Sequence, residues 1–227
     1  MIKILIAAIV LLTPLVSKGQ DRVIRVIYFK APAEAPRKVF AHTSAGVVEV
    51  PLPRLHFSNS IELPPGELVI RFSERETLPP ETPADQTVNL KLSANEKELL
   101  LFVYPDPGQK NVGLAIQKLS VSKLPPGEMM WINTTNFTVG GKVGSKTAVV
   151  RPGEIKQIGA PADKDDLNYD VELQFMAKGS KSQQYLFDGN WGYTPNARLI
   201  AMITAETGGM KPRVDVLRDA ARLKKGN

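Results

Sequence analysis

Apolar and polar positions alternate along most of this chain. Val88, Leu90 and Leu92 are separated by Asn89 and Lys91, and Tyr169, Val171, Leu173, Phe175 and Ala177 by Asp170, Glu172, Gln174 and Met176. Val23, Ile24, Val26, Ile27 and Tyr28 open another β-rich run. A period of two is what a half-buried strand requires, because successive side chains face opposite ways. No stretch before residue 214 carries a helical period. The 18 Pro and 17 Gly residues fall between the apolar runs, where they make turns. The motif Leu63-Pro64-Pro65-Gly66-Glu67 recurs as Leu124-Pro125-Pro126-Gly127-Glu128, with a degenerate copy at Arg151-Pro152-Gly153-Glu154. The pattern predicts an all-β fold of two tandem immunoglobulin-like, Greek-key sandwiches.

An ordered overlay of the two halves sharpens that expectation. It matches Leu63–Phe72 to Val149–Ile158, Val88–Leu92 to Val171–Phe175, Leu100–Gly108 to Leu199–Gly208, and Val112–Leu119 to Arg213–Arg218. The boundary then falls near Ser122, giving a first sandwich over 20–122 and a second over 123–227 with a short basic tail. The Pro-rich acidic segment 74–85 becomes a loop inside the first half. The second half carries an insertion around Lys178 to Thr194.

The first 19 residues read as a signal peptide. Lys3 is followed by the apolar run Ile4–Leu12, Pro14 ends any helix, and Ser17 and Gly19 are small residues before a cut at Gln20. The run is shorter than the roughly 20 residues a spanning helix needs. The expected location is periplasmic or secreted, with no membrane span after cleavage. Removal of Lys3 and Lys18 takes Lys plus Arg from 29 to 27 against 23 acidic residues, a net charge of +4. That charge is dispersed except at Arg218, Arg222, Lys224 and Lys225. It lacks the dense basic stripe and interleaved aromatics of a nucleic-acid binder. With no Cys, the chain has neither disulfides nor thiolate chemistry.

Signals for catalysis and cofactors are poor. His42 and His56 are the only histidines, and no Gly-x-Ser-x-Gly elbow is present. Asp163, Asp165 and Asp166 lack the Gly and distal Glu of a Ca²⁺ loop. Gly140-Gly141-Lys142-Val143-Gly144 lacks P-loop spacing and reads as a hairpin turn. No catalytic residue, metal ligand or cofactor is therefore assigned. The candidate binding residues are Trp191, Tyr193 and Asn190, from a run in which Tyr185, Phe187, Gly189, Trp191 and Tyr193 occupy every second position. An extended run would bury Tyr185 and Phe187. Trp191, beyond Gly189-Asn190, would sit at an edge with part of its ring accessible to a sugar or peptide.

Trp131-Ile132-Asn133, the Val139–Gly144 run, Arg151-Pro152-Gly153-Glu154 and Thr194-Pro195-Asn196-Ala197-Arg198 carry a resemblance to uncharacterised exported bacterial proteins of tandem sandwich type. That resemblance implies no activity. The chain also resembles periplasmic pilus chaperones in length, basic pI, paired sandwiches and the early Arg25-Val26-Ile27-Tyr28 run. This likeness implies capping of exposed strands by β-augmentation, although that family's paired basic cleft residues are not identifiable here. The expected function is a non-catalytic binding or structural module whose partner is an envelope protein or polysaccharide. A strand-capping chaperone stands second and a carbohydrate-active hydrolase third.

Overall fold

A computed structural model describes residues 22–79, 81–83, 86–106, 113–159, 168–180, 182–206 and 211–220. The signal-peptide segment, the aspartates at 163, 165 and 166, and tail residues Arg222, Lys224 and Lys225 lie outside them. The described chain is β-rich throughout, with sixteen strands. No helix among the described residues is long and apolar enough to cross a membrane.

Eight strands build the first half: β1 (Arg22–Tyr28), β2 (Lys38–Thr43), β3 (Gly46–Pro51), β4 (Ile61–Leu63), β5 (Leu68–Ser73), β6 (Val88–Leu92), β7 (Glu98–Pro105) and β8 (Leu114–Ser120). Eight more build the second: β9 (Met129–Asn133), β10 (Phe137–Val143), β11 (Lys146–Val150), β12 (Ile155–Ile158), β13 (Asn168–Ala177), β14 (Gln184–Gly192), β15 (Arg198–Ala205) and β16 (Pro212–Asp219). The sheets of the first half run β4-β1-β7-β8 and β3-β2-β5-β6, and those of the second run β12-β9-β15-β16 and β11-β10-β13-β14. Adding eight to each strand of the first half reproduces the second. Even the unusual element repeats, since β1 pairs parallel with β7 and β9 parallel with β15.

Each half closes over its own core. Ile24, Ile70, Phe72, Leu99 and Leu101 fill the first sandwich, and Trp131, Val139, Leu173, Leu199 and Ile203 the second. A third core joins them. Ile27, Leu100 and Phe102 of the β4-β1-β7-β8 sheet meet Met130, Ile132, Ile200 and Met202 of the β12-β9-β15-β16 sheet. The two inner sheets are therefore buried on both faces. That is why β7 and β15 read as unbroken apolar runs (Leu99–Val103, Leu199–Ile203) while β13 alternates strictly.

The ladders correct the sequence overlay in four places. Leu63–Phe72 spans β4 and β5 while Val149–Ile158 spans β11 and β12, so the two are not counterparts, since β4 corresponds to β12 and β5 to β13. Leu100–Val103 and Leu199–Met202 do lie on equivalent strands, but one residue out of register. Leu99 corresponds to Leu199, both facing their own sandwich, and Leu100 to Ile200, both facing the shared core. A shift of one would exchange those faces. Val88–Leu92 and Val171–Phe175 occupy β6 and β13, which are not counterparts, since β13 corresponds to β5. The supposed insertion is β14 itself, the counterpart of β6, in a hairpin whose strands run further than those of β5–β6. The two Leu-Pro-Pro-Gly-Glu copies also serve different joints. The first links β4 to β5, and the second links the two halves between β8 and β9. They share only the local need for glycine at positive φ, +86° at Gly66 and +83° at Gly127.

Candidate functional site

The three residues singled out from sequence do not share a face. Tyr193 is 8% exposed and belongs to the second core. Its hydroxyl lies so near Gly127 that a β-carbon there would come within 2.8 Å of it. Trp191 is half-buried at the open edge of its sheet. It packs against Trp131, Tyr169 and Phe187 with ring centroids 6.4, 6.3 and 5.8 Å away. Asn190 points the other way, exposed, and donates from Nδ2 to Asp170 Oδ1 at 3.0 Å.

The aromatic run differs from its simple alternation because β14 carries a bulge. Leu173 faces Phe187, yet the next residue, Gln174, faces Tyr185, so Leu186 is passed over in the ladder. A bulge re-aims the side chains beyond it. Phe187 and Leu186 both lean on the core, and Tyr185, expected inside, is 70% exposed on the outer face.

On that outer face the ladders set Val149, Gly140, Gln174 and Tyr185 side by side across four strands. One pleat repeat away, two residues along β10, β11 and β13, the same face carries Thr147, Lys142, Glu172 and Asp188. Gly140 has no side chain to fill its place. A trough of about 410 Å³ lies over it, lined by Thr138, Lys142, Val149, Gln174 and Met176 among others. Gly140 and Gly141 thus stand within β10, and Gly144, at φ +56°, makes the hairpin turn. A β-carbon on Gly140 would approach the Ala148 carbonyl oxygen to 2.8 Å, so the close strand crossing itself favours glycine here.

The most concentrated electrostatics lie elsewhere, beside the shared core. Arg25 from β1 binds Asp219 at the end of β16 through Nε and Nη2, at 2.6 and 2.7 Å. Arg198 from β15 binds both oxygens of Glu98 on β7, at 2.7 and 2.9 Å. Cross-links of 3.0 Å (Arg25 to Glu98) and 3.2 Å (Arg198 to Asp219) close the ring. Two fork-on-carboxylate pairs neutralise each other across the halves. Burial alone would raise the Glu98 carboxyl, but hydrogen bonds from Arg198 and Arg25 outweigh it and hold the group below the usual glutamate range. Burial likewise works against the charge on Arg198, and the Glu98 and Asp219 carboxylates overcome it. Next to this cluster a cleft of about 290 Å³ is lined by Arg25, His56, Ser58, Asn59 and Arg218.

The remaining perturbed groups have structural surroundings. Burial pushes the Tyr104 hydroxyl up to about 12 and that of Tyr169 further, its oxygen buried without a hydrogen-bond partner. Arg22, 1% exposed, spreads over four backbone carbonyls: Glu96, Pro64, Gly66 and Ser93, at 2.6 to 3.2 Å. It thereby pins the first Pro-Pro-Gly turn. Among the described residues no group of three or more His, Asp or Glu side chains could hold a metal ion. The ion cluster and the trough were both missed from sequence. A charged residue at the mouth of an apolar run, as Glu98 before Leu99 and Arg198 before Leu199, was the available sign of the first.

No protein-family model matches this chain, and no curated protein matches it either.

Proposed function

We propose that the chain is a non-catalytic binding or structural module of the cell envelope or extracellular space, exported by its first 19 residues and cut before Gln20. What carries the reading is the disposition of charge. The closely packed ionisable groups neutralise one another between the halves, where they join the two sandwiches, and Arg25 and Asp219 stay paired even where they border the cleft beside them. The outer face of the second half is left as a surface for contact. One test is co-sedimentation of the chain from residue 20 with envelope fragments and with polysaccharide stripped from the same cells. Saturable retention that leaves the retained material unchanged in mass is expected. Release of shortened glycan would replace this reading with a hydrolase.

The strand-capping alternative keeps one specific observation. β14 is hydrogen-bonded to β13 alone and ends beside Arg218, which also lines the cleft between the halves. The bulge at Leu186 and the exposed Asp188 oppose pairing along that edge. Suppression of aggregation of a protein lacking one edge strand, lost on Arg218→Ala, would favour that alternative.

A further inference from the structure

The geometry points to the outer face of the β11-β10-β13-β14 sheet as a binding platform for a neutral oligosaccharide, with Tyr185 as the stacking residue and the Gly140 trough as the seat. This rests on the binding-module reading and names its ligand class. Two features make the face more than a bare sheet. The bulge in β14 turns an aromatic ring outward that strict alternation would bury, and it stands 70% exposed at the end of the cross-strand row. The strand glycine at the centre of that row opens the trough between Val149 and Gln174.

The chemistry of the lining selects the class. A pyranose presents apolar C–H faces and a rim of hydroxyls. Val149, half-exposed in the lining, and Tyr185, outside the lining but next to Gln174 in the ladder, offer flat apolar surface to the first. Gln174, Gln183, Thr138 and Thr147 offer donors and acceptors to the second. Lys142 and Glu172 sit opposite each other in the ladder, so the lining is close to neutral and favours an uncharged ligand over a polyanion. The first half supplies an internal control. There the place of Gly140 is filled by the side chain of Phe40, 9% exposed.

The test uses the chain from residue 20 and isothermal titration with cellohexaose, chitohexaose, mannohexaose and xylohexaose, with hexagalacturonate as the charged comparison. Saturable binding of at least one neutral hexasaccharide is expected. Tyr185→Ala should weaken it about tenfold or more, as loss of one stacked ring implies. Tyr185→Phe should stay within about threefold, because the ring face is kept. Gln174→Ala should weaken binding too. Both positions are exposed, so melting should move little, which separates lost contact from lost fold. Gly140 is left unchanged because a β-carbon there meets backbone. Binding of hexagalacturonate alone, of no hexasaccharide, or binding indifferent to Tyr185→Ala would overturn the inference. Envelope co-sedimentation of the same variants distinguishes the two levels. Retention that survives Tyr185→Ala leaves the module reading standing and removes the platform, whereas loss of retention in the unmodified chain removes both.

Discussion

The outer faces of the two halves occupy the same place in the same topology and are built in opposite ways. Through the β2–β3 and β10–β11 hairpins, Thr43 pairs with Gly46 as Val143 pairs with Lys146, which sets Phe40 against Gly140. Phe40 is 9% exposed, with the Lys38 ammonium 5.3 Å above its ring. Beside it, His42 and Arg71 hydrogen-bond to the Arg75 and Thr82 carbonyls, so the β5–β6 connection folds back over this face. The corresponding connection in the second half, residues 178–183, is shorter. No side chain fills the place of Phe40, and the hairpin is lengthened to present Tyr185. One outer face is partly covered by its own loop, with Val47 and Val69 still about half exposed on it, and the other is not covered at Gly140. The difference teaches that a duplicated sandwich can be specialised by a loop, a bulge and one glycine without touching strand order.

The inner sides differ in another manner. Glu98 and Arg198 are equivalent positions of opposite charge, and Asp219 stands where the first half has the buried Val121. The halves therefore complement each other instead of repeating each other. Arg198→Ala tests this most severely. It leaves buried carboxylates short of a partner and should cost about 3–5 kcal/mol in denaturant unfolding. An effect under about 1 kcal/mol would mean the cluster does not join the halves.

Next in size, Phe40→Ala would open the partly covered face. Loss of a buried ring should cost about 3–4 kcal/mol, read from the same unfolding curves. Tyr185→Ala, its opposite number in function, should fall within about 0.5 kcal/mol of the parent. Similar costs for the two would erase the contrast between a partly covered and an uncovered face.

Trp191→Leu comes third. By the ladders Leu90 and Leu92 of β6 correspond to Gly189 and Trp191 of β14, so one large indole beside glycine replaces two leucines. Leucine at 191 alone leaves a void against Trp131 and Tyr169. About 1–3 kcal/mol is expected, with Leu92→Ala at the upper end of that range or above it. A Trp191→Leu variant as stable as the parent would show that the indole is held for contact outside the core.

The smallest effect is acid sensitivity. Glu98 is held low by the arginines against its own burial, and Glu96 by Lys118, the Ser93 amide and Arg22, also against burial. Unfolded, both titrate near about 4.3. Between that value and their lower folded values the unfolded chain binds more protons, so stability rises with pH there. It should be fully present above the ordinary glutamate range and lost as pH falls through the folded values. Melts from pH 6 to pH 3 should show this, with a shallower decline in Arg198→Ala. An unchanged decline in that variant would assign the effect to Glu96 and the first half alone.

How far the sequence could be read follows from the kind of information each feature needs. The strictly alternating β13 and the Pro-Gly turns are local, and they announced an all-β sandwich because strand period and positive φ are properties of neighbours in the chain. The matching of β7–β8 to β15–β16 was also legible, because long apolar runs survive any drift of individual residues. The correspondence of β6 with β14 was not. Its evidence is a ladder between strands far apart in sequence, and the only local sign, a spacing of aromatics, was broken by a bulge whose partner lies on β13. Tyr185 went from an expected core residue to an exposed one on that single skipped position. The apolar density of Leu99–Val103 and Leu199–Ile203 held a further message, two buried faces, which period alone does not convey. The sequence by itself determined that this chain makes strands, where it turns and that it has two halves. Tertiary structure alone decided which face of each strand meets which core, that Arg25, Glu98, Arg198 and Asp219 form one cluster, and that one outer face stays uncovered at Gly140. Those outcomes depend on contacts between residues distant along the chain, and no local pattern specifies which distant partner will arrive.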